Sequence, residues 1–218
     1  MKKKVLVGLL GGIAICILIA GIIISMPKTQ DTKAAIIDNF EKMSEELSPL
    51  TLTSSNPYDY VDNQYYDNIV NLGVDAIDPL NEIIESGEVS ALEQYVATIA
   101  LQEITECDLN QATGEDWETV EQFLNRWEKT VMEMPNTFEQ IQNNEKLSWK
   151  EKETEFKKYG IFAKAYAKEA LKDNFEFGGK KMTKTKDKDL QKALKEMAKD
   201  VKDKDYKKVL KYVDKQCK

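Results

Sequence analysis

The sequence predicts an all-α chain that begins with one membrane-spanning helix. Three observations lead there. Apolar residues recur every three or four positions along most of the chain, the period of an amphipathic helix. Turn residues are few, with ten glycines and five prolines in 218 residues, so neither a low-complexity stalk nor a strand-and-turn architecture suits the chain. An uncharged run of 21 residues, Val5–Ser25, follows three lysines. At about 1.5 Å per residue that run spans roughly 32 Å, which matches a bilayer core.

Lys2, Lys3 and Lys4 hold the start of the chain in the cytoplasm by the positive-inside rule. Residues 1–4 are therefore expected inside, residues 5–25 as a signal anchor, and everything beyond as extracytoplasmic at a cell membrane. A cleaved signal needs a shorter apolar core and a small-x-small site. The end of this run, Ile23-Ile24-Ser25-Met26-Pro27, lacks that pattern. A secreted protein with a cleaved signal is the alternative. A lipoprotein fits worst, because Cys16 follows Ile15 and sits in mid-span. Gly8, Gly12, Cys16 and Ala20 recur every four residues, and Gly8 to Gly12 is a GxxxG. Such a stripe lets two membrane helices pair, which would make a homodimer with Cys16 available for crosslinking; small residues are also simply common in spans.

Composition removes several chemistries. The chain has no histidine, which excludes Ser-His-Asp and Cys-His nucleophile systems, the HExxH zinc site and imidazole acid–base steps. Cys107 and Cys217 are too few for a zinc site, so no metal and no cofactor is expected. An extracytoplasmic address permits one disulfide, Cys107 with Cys217, and two unpaired thiols is the other state. The net charge of −7 hides an asymmetry: residues 27–179 carry −18 and residues 180–218 carry +8. This divides the outer chain into an acidic helical domain, 30–179, and a lysine-rich helical tail, 180–218. The tail could meet an anionic surface, dock on the acidic body, or be a solvated face. Nucleic acid is not expected, since Arg126 is the only arginine and the compartment is wrong.

The helices follow in order. Thr32–Leu47 aligns Ile36, Phe40, Met43 and Leu47, and Ser48-Pro49 ends it. A short helix after Tyr58 ends at Gly73, and Asp75–Glu85 carries Ala76, Ile77, Leu80, Ile83 and Ile84. Val89–Thr105 turns Leu92, Val96, Ile99 and Ala100 inward, with Tyr95 beside them. Asp116–Glu133 bears the stripe Trp117, Val120, Leu124, Trp127 and Val131, so the two tryptophans read as core. Pro135-Asn136-Thr137 is expected to break that helix, with a short one holding Phe138 and Ile141 after it. Ser148-Trp-Lys-Glu151 is a capping box. Lys152–Tyr159 and Ile161–Leu171 follow, Phe175–Gly179 reads as a linker or a left-handed stop, and the tail forms a basic amphipathic hairpin turning at Lys202–Asp205.

Two helix–glycine–helix corners look alike. Ile69-Val-Asn-Leu72-Gly73-Val74-Asp-Ala76 and Phe156-Lys-Lys-Tyr159-Gly160-Ile161-Phe-Ala163 keep the same order at an offset of 87 residues. Such a unit occurs in helical solenoids and also as a generic αα-corner. The stretch from Asn56-Pro-Tyr-Asp-Tyr60 through Ile69–Gly73, Pro79, Leu80 and Gln94-Tyr95 to Gln102-Glu-Ile-Thr105 resembles HEAT-like helical segments of exported or membrane-anchored, largely uncharacterised proteins of low-GC Gram-positive bacteria. Similar segments accompany BlaR-type membrane metallopeptidases. The resemblance implies HEAT-like helical hairpins and a non-enzymatic module, because the histidines of a peptidase are absent.

One patch looks like a site: Tyr58, Asp59, Tyr60, Asp62, Tyr65, Tyr66 and Asp67. Tyrosines with carboxylates suit sugar or peptide binding, and Asp59 with Asp67 could act as paired carboxylates on a glycoside. The plainer reading favours structure: aspartates at a helix start and tyrosine rings over the core. The order of ligands is not that of an EF-hand. The chain thus reads as a membrane-anchored helical binding or scaffold protein of the bacterial cell envelope, with a protein partner. The alternative is a histidine-free, carboxylate-dependent enzyme acting on wall polymer.

Overall fold

The computed structural model describes residues 28–47, 54 and 56–218, and of residues 28 and 29 the backbone alone. The expected anchor with its stripe Gly8, Gly12, Cys16 and Ala20 lies outside the described residues. Among the described residues no helix is long and apolar enough to cross a membrane. Ten α-helices and one two-stranded sheet are found among them.

Helix α1 (Lys28–Glu46) buries Ile36, Phe40 and Met43 at helical spacing. Asn56 caps a 3-10 turn, Pro57–Tyr60, and Asn63 caps α2 (Gln64–Asn71), each side chain accepting from free amides of the first turn. A second 3-10 turn, Gly73–Ala76, leads into α3 (Ile77–Ser86). Ser90 and Glu93 form a capping box that starts α4 (Ala91–Thr105). The fully buried face of α4 is made of Val96, Ala97, Ala100 and Leu101 together with Thr98 and Thr105. Small side chains there let α2, α3, the later helix α6 (Val120–Asn143) and α8 (Gly160–Glu169) all pack on one helix. The two buried hydroxyls donate to their own helix, Thr98 to the Tyr95 carbonyl at 2.6 Å and Thr105 to that of Leu101 at 2.6 Å.

After the short α5 (Leu109–Thr113), α6 runs unbroken through Pro135. The expected break is corrected by two facts. The buried stripe continues across the proline as Val131, Met134, Phe138 and Ile141. Proline has no N–H, which leaves the Val131 carbonyl without its helical partner. The Cys217 thiol reaches that oxygen at 3.7 Å and the Met132 oxygen at 3.8 Å, so a weak donor occupies the gap. Cys107 and Cys217 are both free thiols.

Ser148 and Glu151 form the expected box at the start of α7 (Trp149–Lys157), and α8 follows directly after Tyr159. Residues 174–183 are not a linker. Strands β1 (Asn174–Phe177) and β2 (Lys180–Thr183) pair antiparallel, with Phe175 opposite Met182. Phe175 and Phe177 face inward while Asn174 and Glu176 face out, the two-residue alternation of a strand. Gly178 and Gly179 have φ of 54° and 73°, as a two-residue hairpin turn needs.

The boundary expected at 179/180 therefore falls inside a hairpin. Helices α9 (Lys188–Met197) and α10 (Asp203–Gln216) share the core with the rest, through Leu190, Leu194, Val209, Tyr212 and Val213. Trp127 Nε1 donates to the Tyr212 hydroxyl at 2.8 Å in that core. The tail also docks by charge. Lys208 pairs with Asp75, and Lys215 reaches Asp78 at 2.7 Å and Glu82 at 3.6 Å. Lys152, only 6% exposed, donates to the Gln142 carbonyl at 2.9 Å, a cation at the C-terminal end of α6 where the helix dipole favours it.

Candidate ligand cleft

Helix α4 carries a second face beside its buried one. Tyr95, Ile99, Gln102 and Glu103 recur at i, i+4, i+7 and i+8, one stripe of a helix, and Glu106 follows as its C-cap. They form one wall of an open cleft of about 480 Å³. The 3-10 turn after Pro57 contributes Tyr58, the α4–α5 junction contributes Cys107, Asp108 and Asn110, and the loop before α6 contributes Trp117. Ile99, expected to point inward with Val96, is instead half-buried at this opening.

The aromatic side of the cleft is built in layers. Trp117 packs against Tyr95 and Phe123, both with ring centroids 5.0 Å apart, and Phe123 stacks on Trp127 at 5.7 Å. Those contacts hold the rings at the opening to the central core. Tyr58 lines the same cleft and is 58% exposed.

The polar side is anionic. Glu103 accepts from the Tyr66 hydroxyl at 2.6 Å, and burial with that carboxylate raises the Tyr66 phenol. Gln102 accepts from the Leu109 amide at 3.2 Å, which ties α4 to α5. Asp108 caps α5 through the Gln111 amide at 3.0 Å. Glu106 pairs with Lys164 at 2.5 Å and is the only described non-glycine residue with positive φ, 52°. Cys107 lines the cleft, but burial pushes its thiol up to about 12. It therefore stays protonated near neutral pH and is no nucleophile. Among the described residues no group of three or more acidic or thiol side chains could hold a metal ion.

The tyrosine and acid patch is divided by the fold, and Tyr58 alone of its seven residues enters the cleft. Tyr60 is buried and donates to the Ser54 carbonyl at 3.1 Å. Tyr65 turns to α1, where its contact with Glu46 raises the phenol. Asp59 accepts from Ser54 at 2.5 Å and from Asn56 at 3.0 Å, so both its oxygens serve the turn. Asp67 lies in the first turn of α2, and Asp62 is exposed. The residues missed were Tyr95, Ile99, Glu103 and Trp117. A signal existed: α4 is apolar on more than one side, with Tyr95 and Ile99 flanking a face already filled by Val96, Ala97, Ala100 and Leu101. A helix apolar on two sides has two things to cover. No family model, no curated protein and no solved structure matches this chain, so the geometry of the cleft carries the functional argument.

Proposed function

We propose that the chain is a membrane-anchored, extracytoplasmic binding protein of the cell envelope, non-enzymatic, whose HEAT-like helical pairs present the α4 cleft to a protein partner. The observation that carries this reading is the cleft's pairing of rings with carboxylates. Tyr58, Tyr95 and Trp117 line it together with Glu103, Glu106 and Asp108. Aromatic faces and carboxylates together favour a cationic side chain on an extended peptide. The address rests on the run Val5–Ser25 behind three lysines. Asp59 and Asp67, the pair an enzyme reading needs, have places in a turn and a helix start and do not line the cleft.

A photo-crosslinking side chain at position 58 of the full chain tests this in intact cells. It should give a discrete protein adduct that Tyr95→Ala weakens. The same side chain at Met132, which is 52% exposed and away from the cleft, should not give that adduct. Identical adducts from both positions would sink the reading. So would wall-degrading activity that disappears in the Asp59→Ala and Asp67→Ala variants.

A further inference from the structure

We propose that the outer face of α9 is a contact surface for anionic phospholipid. Lys188, Lys192 and Lys195 of α9 and Lys199 of the 3-10 turn that extends it are all exposed. At about 100° per residue the three on α9 fall within roughly 60° of one another, and Lys199 extends the ridge to about 16 Å. Leu190, Leu194 and Met197 are buried on the opposite side, where α9 packs on α7 and α8. The core thus fixes which way the ridge points. Asp189, Glu196 and Asp200 fall on one flank, so the crest carries a single sign.

Some lysines of the tail are taken up by carboxylates of the chain's own body and others are not. On α10, Lys208 and Lys215 face Asp75, Asp78 and Glu82 of the same chain. Just after α9, Lys199 of the 3-10 turn Ala198–Asp200 pairs with Glu196 of α9, and among the described residues no carboxylate pairs with Lys188, Lys192 or Lys195. The ridge also acts as a field: Lys199, then Lys195 and Lys192, hold the Glu196 carboxyl below its usual range. A straight row of flexible ammonium groups has no pocket and no fork geometry. It therefore suits a laterally mobile sheet of phosphate better than one shaped ligand, at about fivefold in binding per lysine near a charged membrane.

The test uses the full chain reconstituted into vesicles of neutral phosphatidylcholine and into vesicles containing phosphatidylglycerol. Lysine reactivity toward a water-soluble acylating reagent is read by mass spectrometry, with Lys207 and Lys211 of α10 as internal controls. Protection of the four ridge lysines, several-fold and only on the anionic vesicles, is expected, and added salt should remove it. Lys192→Gln with Lys195→Gln should reduce the protection of Lys188 and Lys199 while leaving the helical circular dichroism unchanged. Equal reactivity on both vesicles, or protection shared by Lys207 and Lys211, would overturn the proposal. Protection by a soluble polyglycerol phosphate but not by anionic vesicles would assign the ridge to a wall polymer and overturn it equally.

Discussion

The corners at Gly73 and Gly160 are alike in sequence and differ in what presses on them. Both glycines have positive φ, 58° and 50°, and each joins the end of one helix to the start of the next. At Gly73 an added Cβ would meet nothing within 4 Å. At Gly160 it would lie 2.1 Å from the Thr105 carbonyl oxygen and 2.3 Å from the Glu106 carbonyl. The first corner needs glycine for its backbone angle alone. The second also needs it because the end of α4 lies against the start of α8, backbone to backbone. A local motif can repeat while its packing does not, so the offset of 87 residues marks a shared way of turning a chain.

The largest expected effect follows from this difference. Gly160→Ala adds a backbone collision to the strain of a left-handed residue and should cost about 3 kcal/mol or more. Gly73→Ala should cost about 1–2 kcal/mol, the angle alone. Urea unfolding of the two variants separates them, and equal losses would break the comparison. Glu106 sits across the same junction with its own positive φ. Glu106→Gly should therefore stabilise by about 0.5–1 kcal/mol, after allowance for the lost Lys164 pair. A loss of stability would show that the pair outweighs the angle.

The Gly160 junction should also respond to alkali. Tyr159 and Cys107 flank it, and burial raises each to about 12, with smaller contributions from acidic neighbours. A raised acid contributes stability that is fully present below its unfolded value and is lost as pH rises toward its folded value. For Cys107 the window runs from 9.0 to about 12. Stability should fall across that range, and Cys107→Ala should flatten the fall. An unchanged slope in that variant would remove the thiol from the account.

Much of this was legible in the sequence, and the failures share a cause. The helices, the Ser148 box and the two glycine corners are written in neighbouring residues. The hairpin at 174–183 is the exception, read as a linker although its signal is local: alternating Phe175 and Phe177 before two glycines. Three features were not legible. Pro135 breaks a helix by local rules, yet α6 continues, with its stripe buried on both sides of the proline and the Cys217 thiol, 82 positions further along, against the carbonyl it frees. Glycine at 160 records a contact with residues 105 and 106 that no local pattern reports. The cleft gathers residues from four segments, so the tyrosine patch drew attention to Tyr58 and away from Tyr95 and Trp117.

The smallest effect concerns what holds the Gly73 corner in place of backbone contact. Its 3-10 turn meets α10 through Lys208 and Asp75, with Lys215 on Asp78 and Glu82 of α3 just beyond. These groups are partly exposed, so each pair is worth at most about 1 kcal/mol and is screened by salt. Lys208→Ala with Lys215→Ala should lower stability by about 0.5–1 kcal/mol at low salt. The loss should shrink toward zero near about 1 M salt, where the screening length is about 3 Å. The cost of Gly160→Ala should not change with salt, because overlap of atoms is not screened. If the two effects respond to salt alike, the corners are held by the same forces and the contrast drawn from their geometry fails.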